Sequence, residues 1–154
     1  MSQQSLDNFG AYSKAMVLFD LVLSDMRSVQ RDPTTYKLVS QQIGSADSIA
    51  SNIEEGHGRL SRTEYVRFLD YARASARETR GRYVRMRSWF ETDLVEERLA
   101  LCDDIIGILT RTLVTLRTNL YPRGGTEVHE PSEEYSVAGA GIPSTPDPRP
   151  SSHV

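Results

Sequence analysis

Residues 41–78 read QQIGSADSIASNIEEGHGRLSRTEYVRFLDYARASARE, and the pattern is that of two helices folded back on each other through a marked turn. Before the turn, Ile43, Ala46, Ala50 and Ile53 recur at alternating spacings of three and four, as one face of a helix requires. After it, Tyr65, Leu69, Ala72 and Ala76 do the same. Between them stand Gly56, suited to ending a helix in the left-handed conformation, and Ser61-Arg62-Thr63-Glu64, a capping box. A helix therefore begins at about Ser61.

Working outward, the second helix follows Asp32-Pro33-Thr34-Thr35, where Asp32 is a cap candidate and Pro33 suits the first helical position. Its seam is Tyr36, Val39, Ile43, Ala46, Ala50 and Ile53, with an end at Gly56. The third helix keeps a strict four-three alternation through Thr79, Tyr83, Met86 and Phe90. A first helix starts near Asn8 or Gly10 and runs to about Gln30 on Tyr12, Ala15, Phe19, Val22, Met26 and Val29. A fourth restarts at Glu91-Thr92-Asp93 and reaches about Leu120 on Val95, Leu99, Cys102, Ile106, Leu109, Leu113, Leu116 and Leu120. Leu94, Leu101, Ile105 and Ile108 lie off that line and predict a wider core or a subunit contact. Four helices joined by short connections predict an all-α, antiparallel up-down-up-down four-helix bundle over residues 1–121.

Residues 122–154 differ in kind. They hold six of the seven prolines, lack apolar periodicity and carry two Arg against five Asp or Glu. A disordered C-terminal tail is expected. Its Pro143-x-x-Pro146 and terminal Ser152-His153-Val154 are short, common patterns better read as part of a linker or solubility tail. The tail accounts for the whole formal charge of −3, leaving residues 1–121 balanced at 16 basic and 16 acidic. Only the distribution of charge, then, bears on partners. The single Cys102 excludes an intramolecular disulfide and suits a reducing, cytoplasmic setting. No apolar run is long enough to cross a membrane, and the N-terminus has no leader pattern.

The notable charge feature is the segment 59–87. It holds Arg59, Arg62, Arg67, Arg73, Arg77, Arg80, Arg82, Arg85 and Arg87, half of all basic residues, against Glu64, Asp70 and Glu78. Arg73, Arg77, Arg80 and Arg87 form a stripe beside the apolar seam, and with Arg59 they are the candidate nucleic-acid contacts, since guanidinium groups grip phosphates in bidentate fashion. The competing reading is ion pairing with Glu91, Asp93, Glu96, Glu97, Asp103 and Asp104 at the start of the fourth helix. A second stripe, Gln41, Ser45, Ser48, Asn52 and Glu55, faces away from the second helix's seam and is either a solvated surface or a subunit interface.

Catalysis finds no support. Glu54-Glu55-Gly56-His57 has a Glu-x-x-His spacing, but di-iron bundles need a second copy and further glutamates on facing helices. Cys102 lies on an apolar seam, and His57 is the sole histidine of the predicted bundle. No glycine-rich nucleotide loop follows a strand. No catalytic residue, metal ligand or cofactor is assigned.

Ser48-Ile49-Ala50-Ser51-Asn52-Ile53-Glu54-Glu55-Gly56, followed by Arg59, Ser61, Glu64-Tyr65, Arg67-Phe68-Leu69, Ala72, Ser75 and Glu78, resembles the family of ribosomal-RNA intervening-sequence proteins. That family, also labelled S23 ribosomal protein, includes the accessory variability proteins of diversity-generating retroelements. The resemblance extends to Phe9, Tyr12, Ala15 and Gln41, covering residues 6–120. It implies a non-catalytic four-helix bundle assembled as a homo-oligomer, a pentamer, acting as a scaffold or on RNA or DNA beside a reverse transcriptase-type partner. The chain departs from the pattern at Ile43 and Gly44, where members often carry basic residues, and at Asp47, where they tend to be apolar. Helix 2 thus lacks a basic contribution, and the arginines of the third helix are what remain for a nucleic acid.

Overall fold

The computed structural model describes residues 6–29 and 33–120. Four helices account for most of them: α1 Gly10–Val29, α2 Tyr36–Gly58, α3 Arg62–Arg85 and α4 Thr92–Leu120. A 3-10 turn, Pro33–Thr35, precedes α2, and another, Arg87–Trp89, joins α3 to α4. Each helix packs chiefly on two others, α1 and α3 both lying against α2 and α4.

Cross-helix contacts give the direction of each pair. Tyr12 meets Glu54. On α2 and α3, Gln42 meets Thr79 while Gly56 meets Phe68. On α3 and α4, Arg80 meets Asp103 while Asp70 meets Arg117. Lys14 reaches Asp104 and Asp25 reaches Arg98, linking α1 to α4. As one number rises the other falls, so neighbours run antiparallel and the bundle is up-down-up-down.

The core is built from Leu18, Val22, Ile49, Ile53, Leu69, Tyr83, Ile105, Leu109 and Leu113, each almost fully withdrawn from water. Burying one such aliphatic side chain contributes roughly 1.5–3 kcal/mol. Where α2 meets α3, Ser45 touches Thr79 and Gly56 touches Phe68, and both helices bury small side chains, Ala46 and Ala50 on α2 and Ala72 and Ala76 on α3. Small residues bring the two backbones close. At Gly56 an added Cβ would lie 2.9 Å from the Phe68 Cβ and 3.2 Å from Tyr65 Cδ2.

That closeness, not a left-handed turn, explains Gly56: α2 continues past it to Gly58, and Arg59 leaves in extended conformation. His57, expected beyond the helix end, is therefore within α2, edge-on to the Tyr65 ring. Ser61 caps α3 as expected, its side chain accepting the Glu64 N–H at 3.4 Å. Helix α3 stops at Arg85 rather than Phe90, but the 3-10 turn that follows still delivers Met86 to the core and Phe90 to the Tyr83 ring. The expected Asp32 cap and the tail, residues 122–154, lie outside the described residues. Helix α2 itself starts at Tyr36, with Thr35 Oγ1 donating back to the Val29 carbonyl and so closing the end of α1.

The seam of α3 is the expected one. In the other helices most expected positions are buried too, Ala15, Val22 and Met26 on α1, Val39, Ala46, Ala50 and Ile53 on α2, and Val95, Cys102, Leu109 and Leu113 on α4, and the buried face widens by one residue to take in Leu18 and Asp25, Gln42 and Ile49, and Arg98 and Ile105. Phe19, Ile43, Leu99 and Ile106, placed on the seams by sequence, are only partly buried, and Tyr36 is exposed. The off-line Leu101 and Ile108 pack against the core as a wider apolar face, as does Ile105 within it.

Candidate nucleic-acid interface

The periodicity of α3 throws Arg73, Arg77 and Arg80 to the side facing α4. Arg80 makes a bidentate pair with Asp103, Nε to Oδ1 at 2.7 Å and Nη2 to Oδ2 at 3.0 Å. That hydrogen bond holds the guanidinium pKa above its ordinary value. Arg73 reaches Asp70 at 2.5 Å, and the other oxygen of Asp70 accepts from Arg117 of α4 at 2.9 Å. Arg77 is exposed and makes no ion pair among the described residues. Arg59 pairs with Glu55 and stacks over the Phe68 ring, 5.0 Å from its centroid. Arg87 is exposed in the 3-10 turn, apart from the other four.

Two further arginines border this surface from α4, where sequence reasoning attended to the acids at its start. Arg117 is one. Arg111 is the other: exposed, with Nη1 only 3.4 Å from where a Cβ on Gly107 would stand. Between the Arg80–Asp103 and Asp70–Arg117 pairs, then, Arg73, Arg77, Arg80, Arg111 and Arg117 stand with the acids Asp70 and Asp103, while two more acids of the same span, Glu78 and Asp104, are held by Arg82 and Lys14. Of the remaining acids of the α4 start, Asp104 is held by Lys14 of α1, and Glu91, Asp93, Glu96 and Glu97 lie towards the opposite end. The face is polarised along its length, positive towards the α2–α3 connection.

Sequence reasoning missed the buried polar groups. Asp25 accepts from the Tyr83 hydroxyl at 2.7 Å and from Arg98 Nε at 2.9 Å. Burial, then the Asp25 bond, push the Tyr83 pKa well above the usual phenol range. Burial works against the charge on Arg98, yet Asp25 keeps its pKa above the ordinary value. The available signal was spacing, since Asp25 follows Val22 by three and Arg98 follows Val95 by three, both on apolar seams. These groups tie helices together and are closed to ligands.

The expected outward stripe of α2 is not one row. Ser45 is buried, its hydroxyl accepting from Thr79 Oγ1 at 2.9 Å and donating to the Gln42 carbonyl, so it belongs to the bundle interior. The buried face widens towards Gln42, which donates to the Thr79 carbonyl at 3.3 Å, and takes in Ser45 with it. Ser48 and Asn52 are half-buried and bond carbonyls of their own helix, at 2.7 and 2.6 Å. Gln41 and Glu55 are exposed, Glu55 being held by Arg59.

Cys102 is enclosed in the core, and burial, then the nearby Asp103 charge, push its thiol up to about 12. No three His, Cys, Asp or Glu side chains come together as a metal site among the described residues. No helix among them is long and apolar enough to cross a membrane.

The fold and its charged face define an all-α four-helix bundle with buried polar ties and an arginine-bearing side. The chain belongs to the family described as 23S rRNA-intervening sequence protein, which matches residues 7–111. A similar solved structure is that of a protein with unknown function from the S23 ribosomal protein family of Bacteroides thetaiotaomicron. The two are 18% identical with a TM-score of 0.62, over 67% of this chain and 97% of that one. At that identity the likeness speaks for the fold. No curated protein matches the chain.

Proposed function

We propose that this bundle is a non-catalytic, cytoplasmic module that self-associates and binds nucleic acid, or a ribonucleoprotein, through the outer side of α3 and α4. The observation that carries this reading is a surplus of guanidinium over available carboxylate between Asp103 and Arg117: the four acids there, Asp70, Glu78, Asp103 and Asp104, are all taken up in ion pairs, and two of the five arginines make none among the described residues. Arg77 and Arg111 have no acidic partner among the described residues and are free to meet phosphates. The family's printed description, which refers to 23S rRNA, points the same way.

A second reading, a structural or protein-adaptor ring without nucleic-acid binding, draws on the bidentate Arg80–Asp103 pair and on Asp70, which holds two arginines. Binding of RNA and DNA across a salt series separates the two. The parent protein is expected to bind at low salt, to lose affinity steeply as salt rises, and to bind less well as Arg77→Ala/Arg111→Ala. Absent binding at low salt, or binding indifferent to those changes, overturns the reading. Light scattering tests self-association, and a clean monomer removes it.

A further inference from the structure

The positive side of α3 and α4 leads towards a cavity at the end of the bundle. This cavity, of about 310 Å³, lies where α2 ends, α3 begins and α4 finishes. Its apolar walls are Leu116, the Tyr65 ring and Leu60, and its cationic ones Arg59 and Arg62. A volume of roughly 300 Å³ is at the lower end of the range for small-ligand sites.

Two features make it a receptive site. Arg59 is fixed by Glu55 and the Phe68 ring, so its guanidinium is already placed at the rim. Arg62 is exposed with no ion pair among the described residues, and the whole Leu60 side chain is in solvent. A group that satisfies such walls is flat and apolar on one side and anionic on the other. A nucleotide has that form, and bases outside a duplex are recognised in this way, against aromatic rings and guanidinium planes. A paired base, stacked inside a double helix, cannot enter.

The cavity lies at the end of the same two helices that carry the arginine surface. Leu116 forms its wall, and the adjacent Arg117 makes the Asp70 ion pair of the α3–α4 side. We propose that this cavity receives one unpaired nucleotide of a single strand whose backbone follows the α3–α4 arginines. The inference rests on the nucleic-acid reading given above and adds to it a preference for single strands. From Arg62 to Arg80 along α3 is roughly 27 Å at the helical rise, which a strand stacked at the duplex spacing of about 3.4 Å per nucleotide covers in about eight nucleotides and a more extended strand in fewer.

The test measures fluorescence anisotropy of a labelled mixed-sequence strand of about eight nucleotides, as RNA and as DNA, beside a duplex of the same sequence. It compares the full chain with Arg62→Glu, Leu60→Asp and Arg77→Ala/Arg111→Ala. Arg62 and Leu60 are exposed, so both cavity variants are expected to fold, which circular dichroism verifies. The expected result is tighter binding of the single strand, weakened about tenfold by either cavity variant, with little change for the duplex. Arg77→Ala/Arg111→Ala, the groove variant between α3 and α4, is expected to weaken both ligands. If the groove variant acts but the cavity variants leave single strands unaffected, the cavity proposal is overturned and the nucleic-acid reading stands. If no nucleic acid binds at low salt, both fall. If a Glu- and Tyr-rich peptide binds in place of the strand and Arg62→Glu abolishes it, the cavity is a peptide site and the proposal is overturned.

Discussion

Asp25 on α1 and Arg98 on α4 hold each other across the bundle interior by two hydrogen bonds, at 2.9 and 3.2 Å, each residue only 6% exposed. Tyr83 from α3 donates a third bond to the same carboxylate, so three helices meet at one charge. The remaining Arg98 nitrogen, Nη1, lies 2.9 Å from Glu97 as an ion pair, without hydrogen-bond geometry. Removing one partner strands the other in a low-dielectric site. Asp25→Ala is expected to destabilise by about 3–5 kcal/mol, whereas Asp25→Leu/Arg98→Met, which removes both charges, recovers much of that loss. Urea denaturation measures both, and a cost below about 1 kcal/mol for Asp25→Ala would show that the pair is not what joins these helices.

Gly56 and Gly44 sit on the same helix in opposite circumstances. A Cβ at Gly56 would collide with Phe68, whereas nothing lies within 4 Å of a Cβ at Gly44. Gly56→Ala is expected to destabilise by about 1–3 kcal/mol and Gly44→Ala to stabilise by about 0.4–1 kcal/mol. Thermal melts of the two variants should move in opposite directions; shifts of the same sign would mean that α2 and α3 are not in this contact.

Cys102 should be slow towards thiol reagents. With the thiol pushed up to about 12, little thiolate exists near neutral pH. Labelling by a disulfide reagent is therefore expected to be slow in buffer and fast in denaturant. The sign of the linkage follows from the same shift: the folded pKa exceeds the ordinary 9.0, so the thiol's contribution is complete below pH 9 and is lost as pH rises towards 12. Rapid labelling of the native protein at neutral pH would contradict this burial.

Asp103→Asn distinguishes a structural role for Arg80 from a ligand role. Both partners are substantially exposed, so losing the pair should cost less than about 1 kcal/mol. If the α3–α4 side takes up polyanions, the freed guanidinium raises affinity at low salt severalfold. Unchanged affinity together with a large loss of stability would assign the pair to the scaffold alone.

How far the sequence revealed this molecule depended on whether a seam contained charge or amide. On α3 the apolar alternation from Leu69 to Met86, with Thr79 within it, gave the buried face, to which Arg82 adds a charge held by Glu78. On α1, α2 and α4 the buried face also takes in Asp25, Gln42 and Arg98, beside seam positions that the alternation did give. Hydropathy alone chose a less buried apolar neighbour on two of them, Ile43 over Gln42 and Leu99 over Arg98. Those side chains are buried because partners on other helices satisfy them, and partners far apart in the chain leave no local trace. The candidate interface was legible by half for a similar reason. Its α3 arginines were conspicuous as a cluster, whereas Arg111 and Arg117 joined them only when α4 was laid alongside. The cavity at the bundle end draws on three helices and had no sequence signature at all.

The Gln42–Thr79–Ser45 layer has a consequence for how the hairpin finds its alignment. Both helices also bury alanines, Ala46 and Ala50 on α2 and Ala72 and Ala76 on α3, and one alanine against another looks much the same a turn earlier or later. A slip of one helical turn, about 5.4 Å, would take the Gln42 amide away from the Thr79 carbonyl and part Thr79 Oγ1 from Ser45, at roughly 1–3 kcal/mol for each buried group left without a partner. Misaligned hairpins are thereby made short-lived. In an otherwise forgiving stack of small side chains, these three residues act as the notch that lets the two helices close in a single register.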